Sequence, residues 1–376
     1  MAAATPLAPS ASTRVIVGLS GGVDSAVAAL LLRDAGWQVH GLFMSNWEED
    51  DAYCTAAQDL QDARATAAEL GIPLHRVSFA REYRERVFEH FLAAHRAGRT
   101  PNPDVLCNRE IKFGVALEWA TRLGGACFAT GHYARLAAAA DGPALLKALD
   151  GSKDQSYFLH AVARSELART VMPLGGLHKS EVRDLARRAG LPVFDKPDST
   201  GICFVGERPF RDFLARFLPR SPGPLVTPEG ERVGTHEGLA FYTLGQRGGL
   251  CIGGRAGRPE EPWYVAAKDA QRNALIVVQG HDHPLLASGA LCTGPWHWLT
   301  SAPREPLRCT VKVRYRQSDQ SALLEPLADG TARVVFDTPQ RAVTPGQYVV
   351  AYEGDRCLGG AVIETVSPTT AQRAAA

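Results

Sequence analysis

The tightest constraint on this chain is the stretch RVIVGLSGGVDS, residues 14–25, where an apolar β-prone run turns through two adjacent glycines into SAVAALLLRDAG, a helix-like segment that stops at Gly36. A strand that enters a helix through glycines offers backbone N–H groups to an anion at the positive end of the helix. The rhythm then repeats with VHGLFMSN, helical TAAQDLQDARATAAELG, PLHRVSF, helical EYRERVFEHFLAAHRAG, helical REIKFGVALEWATRLG and strand-like ACFATGH. Such alternation predicts an α/β fold: a Rossmann-like, mainly parallel sheet covered by helices, over residues 14–215. From about 216 the texture becomes rich in glycine and proline (SPGPLVTPEGERVG, GQRGGLCIGGRAGRPEEP) between short β-prone runs, which predicts a small central domain over 216–285. Beyond it, RCTVKVRYRQ, TARVVFDTP, QYVVAYEGD and LGGAVIETV carry no helical period and predict a C-terminal β-barrel over 286–376.

Composition narrows the function classes. A length of 376 residues allows two or three domains, each with a core of its own. With 41 Lys+Arg against 40 Asp+Glu the net charge is +1, so a nucleic-acid partner must be met by a local patch rather than by overall attraction. No window of about eighteen consecutive apolar residues offers a membrane span. The opening MAAATPLAPSAST, residues 1–13, lacks the basic and apolar regions of a secretory signal and reads as a disordered tail. Arg14 is the first basic residue, which disfavours a transit peptide, so a cytoplasmic protein is expected, without membrane contact and monomeric. The eight cysteines (54, 107, 127, 203, 251, 292, 309 and 357) are scattered, as in a reduced compartment. None are spaced C-x-x-C, so neither a zinc ribbon nor an iron–sulfur cradle is indicated.

The loop Ser20–Gly21–Gly22–Val23–Asp24–Ser25 has no lysine reaching toward terminal phosphates, unlike the G-x-x-x-x-G-K-[ST] type, but it carries two hydroxyls and a carboxylate. Those groups suit a pyrophosphate with Mg²⁺. The six residues, in their strand-to-helix setting, resemble the PP-loop of ATP pyrophosphatases, which cleave ATP between the α- and β-phosphates and adenylate an oxygen of their substrate. An adenylated oxygen leaves readily once a nucleophile attacks the adjacent carbon, which raises the question of the nucleophile.

Cys107 lies in TPNPDVLCNREIKF, where two prolines stiffen a loop and the following residues start a helix whose dipole can favour a thiolate. Asp104, three residues earlier, is placed to exchange a proton with a ligand held there. Cys203 lies in DSTGICFVGERPF, a second glycine-containing loop, and could meet Cys107 across one cleft. The other six cysteines read as small buried hydrophobes or bystanders. Between Arg304 and Arg316 five cations (Arg304, Arg308, Lys312, Arg314, Arg316) accompany Tyr315 on a strand-like segment. Cations with an aromatic suit RNA, although a charged barrel face looks the same.

PNPDVLCNREIKF, KDQSYFL, STGICFVGERPF, TLGQRGGL, EEPWYV, VRYRQ and TPGQYVV together resemble the tRNA-specific 2-thiouridylase family of the MnmA/TrmU type, from Arg14 to about Thr365. The resemblance implies that Gly18, Leu19, Ser20, Gly21, Gly22, Val23, Asp24 and Ser25 bind ATP, with Met44 and Gly131 completing the pocket. It implies that Asn102, Pro103 and Asp104 meet the target base, and that His132, Lys153, Asp154, Gln155, Arg314, Tyr315 and Gln347 contact tRNA. By the same resemblance Cys203 carries sulfur as a persulfide loaded by an upstream sulfur-donor protein, Cys107 is the nucleophile, and a transient Cys107–Cys203 disulfide ends the cycle. The implied reaction adenylates the C2 oxygen of the wobble uridine and replaces it with sulfur, releasing AMP and pyrophosphate. The target base would leave its stack in the anticodon loop to reach the site. The alternative is another PP-loop adenylating enzyme of the amidotransferase or synthetase type, which would need neither cysteine. A cluster-dependent tRNA thiolase is disfavoured by the absent C-x-x-C, and a non-enzymatic RNA-binding protein by the intact loop and both cysteines.

Overall fold

The computed structural model describes residues 13–47, 56–198, 210–253 and 261–367. Cys203, Cys54 and the expected N-terminal tail, apart from Thr13, lie outside the described residues.

Strands β1 (Arg14–Gly18), β2 (Gln38–Ser45), β3 (Leu74–Ser78) and β4 (Cys127–Ala129) form a parallel sheet. Helices α1 (Val23–Asp34) and α2 (Ala56–Leu70) connect the first three. The run 80–96 is a single rod whose middle turn, Arg84–Phe88, is π-helical, and a second rod spans 103–122 with a π stretch at Cys107–Val115. Next comes a hairpin of β5 (Arg135–Ala139) and β6 (Gly142–Leu146), and β7 (Thr170–Val171) then completes the sheet in the order β3-β2-β1-β4-β7. β1 is fully buried at Val15, Ile16 and Val17, as expected of a strand covered by helices on both faces. In this order the chain reverses its direction of progress between β1 and β4, and a crevice opens at their carboxyl ends, where open α/β sheets bind ligands.

The central strands β8 (Gly223–Val226), β9 (Arg232–His236), β10 (Trp263–Asp269) and β11 (Ala274–Gln279) form a four-stranded sheet in the order β10-β11-β8-β9. The last part contributes β12 (Ala287–Thr293), β13 (His297–Trp298), β14 (Leu307–Lys312), β15 (Gln320–Pro326), β16 (Ala332–Arg341), β17 (Tyr348–Glu353) and β18 (Arg356–Ser367). The path β12-β16-β15-β14-β17-β18 closes because β18 pairs back to β12, so this sheet is a closed antiparallel barrel with no free edge along that circuit. Its interior is filled by Leu291, Val311, Leu324, Val334, Val349 and Ile363.

Two features differ from the sequence reading. The Ala-rich stretch ARLAAAADGPALL, for which the sequence reading named no element, forms the β5–β6 hairpin, and Leu146 pairs with Arg356 of β18, so the N-terminal half adds strands to the barrel's sheet. The run RCTVKVRYRQ leaves its strand at Lys312: Val313 N–H donates to Gln317 Oε1 at 2.8 Å and Gln317 N–H to Arg314 O, which makes a turn. The segment KDQSYFL is also a seam. Tyr157 Oη donates to Tyr348 O at 2.9 Å and Ser156 Oγ lies 3.1 Å from Tyr352 Oη, with all three side chains buried.

Trp47, just past β2, forms the other seam. Its ring meets Phe88 of the first rod at 4.8 Å, Phe213 at 5.9 Å and Phe217 at 6.4 Å, and Phe88 meets Phe217 at 4.8 Å. Edge-on aromatic pairs of this kind add to the burial energy of their rings. Phe88→Ala should lower the unfolding free energy by about 3–5 kcal/mol, read by denaturant titration, because it empties the centre of this cluster.

Candidate active site

The loop after β1 is held by its own hydroxyls. Ser25 Oγ accepts from Ser20 N–H at 3.1 Å, donates to Gly22 O at 3.0 Å and lies 3.2 Å from Ser20 Oγ. Gly22 caps α1 with no side-chain hydrogen bond, and a Cβ added there would meet only Ser20 Oγ, at 3.5 Å. The space before the first turn of α1 is therefore open, and the cradle fits a phosphate group. Gly131, past the end of β4, abuts the same turn: a Cβ there would sit 2.7 Å from Asp24 C and 2.8 Å from Ser25 N, so only glycine allows the approach. Met44 lies on the other side, its Cε 3.6 Å from where a Gly18 Cβ would be. The expected nucleotide residues thus surround one crevice between β2, β1 and β4.

The loop lacks a lysine of its own, and the fold supplies one. Lys179, the first residue of the helix Lys179–Arg188, reaches Asp24 Oδ1 at 2.7 Å and Oδ2 at 2.8 Å, while Tyr133 Oη donates to Oδ1 at 2.8 Å. Burial, then the Asp24 charge, push the Tyr133 phenol far above its ordinary range, so it stays a donor. Lys179 also meets Asp198 at 2.7 Å, and Lys153 and Arg183 reach Asp198 at 2.7 and 3.0 Å. Lys196 donates to Gly21 O at 3.0 Å and pairs with Asp59 and Asp62 of α2. Lys179, Arg183, Lys196 and Asp198 escaped the sequence reading. Nothing local ties these residues to a loop more than 150 positions earlier.

The Cys107 loop is more helical than expected. Asn102 caps the turn Pro103–Leu106 through Asp104 N–H to its Oδ1 at 3.2 Å, with Pro103 at the first helical position. Cys107 therefore lies a full turn inside the helix, where its N–H already bonds to Asp104 O and Pro103 O, rather than at the helix start. It is fully buried, against a core that includes Val105, Ile111 and Phe113. The π stretch that begins at Cys107 packs on the end of β4 through Phe113, whose ring centre lies 5.6 Å from that of His132. The Cys107 rod thus packs against the residue that follows Gly131.

The expected tRNA-contacting residues divide. His132 is buried, its Nδ1 2.8 Å from Thr130 Oγ1, and burial holds it neutral, well below its ordinary pKa. Asp154 is also buried and accepts from Ala148 N–H, Ser156 N–H and Ser156 Oγ. Gln155 Oε1 accepts from Tyr133 N–H, which braces the tyrosine that holds Asp24. Gln347 Nε2 donates to Thr100 O at 2.8 Å and Pro101 O at 3.3 Å. Of the five cations expected on one strand, Arg304, Arg314 and Arg316 lie off it. Lys312 is buried, its ammonium 5.5 Å from the centre of the Tyr352 ring and 3.7 Å from Asp154. Arg314 and Arg316 remain exposed, with the half-buried Tyr315 between them.

Burial alone would raise the Asp198 carboxyl, but hydrogen bonds from Lys153 and Lys179 bring it from 3.8 down to about 2. A carboxyl depressed in the native state stabilises the fold above its unfolded pKa and loses that contribution as pH falls through the native value. Asp198→Asn should therefore cost stability at neutral pH, and the gap from wild type should close between about pH 4 and pH 2, read by denaturant unfolding across that range.

The family model described as the tRNA methyl transferase HUP domain matches residues 13–207, the PRC-barrel domain of the same series matches 211–279, and the aminomethyltransferase beta-barrel domain matches 288–363. The tRNA-specific 2-thiouridylase MnmA of Pseudomonas paraeruginosa is 58% identical over 355 residues, covering 94% of this chain and 94% of its own. That of Stutzerimonas stutzeri is 56% identical over 371 residues, 98% of each. That of Vibrio cholerae is 56% identical over 357 residues, 93% of this chain and 96% of its own. With three family models in series and this identity across nearly its whole length, the chain belongs to the tRNA-specific 2-thiouridylase family, MnmA/TrmU type.

Proposed function

We propose that this chain is a tRNA-uridine 2-sulfurtransferase: it adenylates the C2 oxygen of the wobble uridine with ATP and installs sulfur there to give 2-thiouridine. The observation that carries the reading is the coincidence of whole-length similarity to MnmA enzymes with a loop built as an open anion cradle, next to Gly131, whose neighbour His132 packs on Phe113 of the Cys107 rod. The synthetase reading would leave the family match and the barrel without a role.

In this reading the backbone of Ser20–Ser25 and the α1 N-terminus would hold the phosphates, Asp24 would hold the Mg²⁺ that accompanies ATP once Lys179 turns from it to the phosphates, and Met44 and Gly131 would bound the nucleotide. Lys179 sits where it can follow the negative charge that builds on the departing pyrophosphate. Asn102, Pro103 and Asp104 receive the flipped uridine, and Asp104 moves the proton. Cys203 brings sulfur as a persulfide received from an upstream donor protein. Its terminal sulfur bonds to C2 as the C2–O bond to AMP breaks, and the Cys107 thiolate then takes the inner sulfur of Cys203, leaving 2-thiouridine and a Cys107–Cys203 disulfide for an external thiol to reduce. Arg314 and Tyr315 offer the barrel's exposed cation and ring to tRNA, while His132, Lys153, Asp154 and Gln155 serve that contact by shaping the crevice wall. No helix among the described residues is long and apolar enough to cross a membrane, and a cytoplasmic monomer fits a tRNA substrate.

The test incubates the protein with ATP, Mg²⁺, a persulfide donor and unmodified tRNA, then digests the RNA and measures 2-thiouridine by mass spectrometry. Wild type should form it, and Cys107→Ser should lower the rate by at least about a hundredfold while pyrophosphate is still released. A wild type that makes none, or cysteine variants at wild-type rate, would overturn the proposal. Lys179→Met should weaken ATP binding about tenfold, read by calorimetry, since it removes a charge-assisted partner beside the cradle.

A further inference from the structure

The segment Gly98–Pro101, which delivers the chain into the Asn102 cap and Cys107, is held by the two other domains more than by its own. On the central side, Lys268 of β10 donates its ammonium to Gly98 O at 2.9 Å, and Thr243 Oγ1 lies 3.2 Å from Thr100 Oγ1. Gly98 (φ +74°) ends the first rod, with Gly98 N–H on His95 O and Arg99 N–H on Ala94 O, so Lys268 places a cation at the negative end of a helix. On the barrel side, Gln347 Nε2 donates to Thr100 O and Pro101 O, Thr100 N–H donates to Pro345 O at 3.0 Å, and Arg99 pairs with Glu364 at 2.5 Å. Gly346 (φ +93°) makes this approach feasible: a Cβ there would lie 2.9 Å from Arg99 Cβ and 2.9 Å from Thr100 N.

The Lys268 and Gln347 tethers end on backbone of 98–101, and at the next residue the Asn102 side chain starts the helix that fixes Asp104 and Cys107. Burial lowers the Lys268 ammonium from 10.5 to about 8, a cost carried for one carbonyl on another domain. Gln347 likewise directs its amide into the protein, so its donor is engaged before any RNA arrives. We infer that Lys268 and Gln347 are positioning residues, which clamp segment 98–101 from opposite sides and so set the placement of Asp104 and Cys107. The barrel is then a structural support of the catalytic turn in addition to being a surface for tRNA.

The effect on turnover rests on the proposed thiolation, whereas the effect on the Cys107 thiol does not. Lys268→Met, Lys268→Arg, Gln347→Leu and wild type are therefore compared in two assays. In the first, full-length protein without tRNA or ATP is treated with iodoacetamide, and alkylation of the Cys107 peptide is followed by mass spectrometry. The thiol is fully buried in wild type, and Lys268→Met and Gln347→Leu should each raise its labelling rate about tenfold through easier local opening. Lys268→Arg, which keeps a cationic donor, should stay near wild type. In the second, 2-thiouridine formation is fitted for kcat and for KM of tRNA: kcat should fall on the order of ten- to a hundredfold, with KM changed less than about twofold, as expected of misplaced reacting groups. Labelling that stays at the wild-type rate in both disrupting variants overturns the inference, as does a rise confined to KM, which would make Gln347 a tRNA contact only. If Lys268→Met unfolds the chain, Gln347→Leu alone decides. A wild type that forms no 2-thiouridine defeats the proposed activity but leaves the labelling result to stand for the clamp.

Discussion

The Asp24 carboxylate lies between the Lys179 ammonium and the Tyr133 hydroxyl, and the geometry of the nucleotide crevice depends on that arrangement. The carboxylate is held beside Tyr133 and the helix Lys179–Arg188, and the Gly22 side of the cradle is open. The same lysine continues to Asp198, which gathers Lys153 and Arg183, and Lys196 ties the Gly21 carbonyl to α2. These pairs are half-buried, so their contribution is more to placement than to stability. Their net charge is close to neutral, with each cation already oriented by a carboxylate.

A second constraint is the way three domains share one short segment. Cys107 belongs to the parallel-sheet domain, but the chain entering its helix is gripped by a lysine of the central sheet and a glutamine of the barrel. The seam at Ser156 and Tyr157 joins the same barrel to the residues that brace Tyr133, and the aromatic cluster at Trp47 joins the helix Phe210–Ala215 to the end of β2. Both candidate ligand sites therefore rest on contacts between domains, and the barrel's closure supplies a rigid reference for them.

Several parts of this were legible beforehand. Strand and helix runs in the first 130 residues follow the apolar period closely, because a strand buried on both faces and an amphipathic helix each leave a local signature. The Ser20–Ser25 loop is contiguous, so six letters were enough to read it as an anion cradle. The Asn102–Pro103 helix start was written in the sequence but read one turn late: the two prolines suggested a stiff loop, whereas Pro103 at the first helical position with an Asn cap favours an earlier start. The β5–β6 hairpin was hidden because alanine carries little strand preference, and partner strands far along the chain decide its state.

Sequence alone determined the alternation of strands and helices over the first 130 residues, the anion cradle and the pair of candidate thiols, since each is encoded by neighbouring residues. Whole-length resemblance determined the family for the same reason, through contiguous strings. Tertiary structure decided which distant groups complete the site: Lys179 on Asp24, Lys196 on Gly21, Gln347 and Lys268 on segment 98–101. It also decided that Asp154 and Lys312 lie inside the protein while Arg314 and Arg316 face outward. The physical reason is that a charge's role depends on what surrounds it after packing, and no local pattern records a partner that lies a hundred or more residues away.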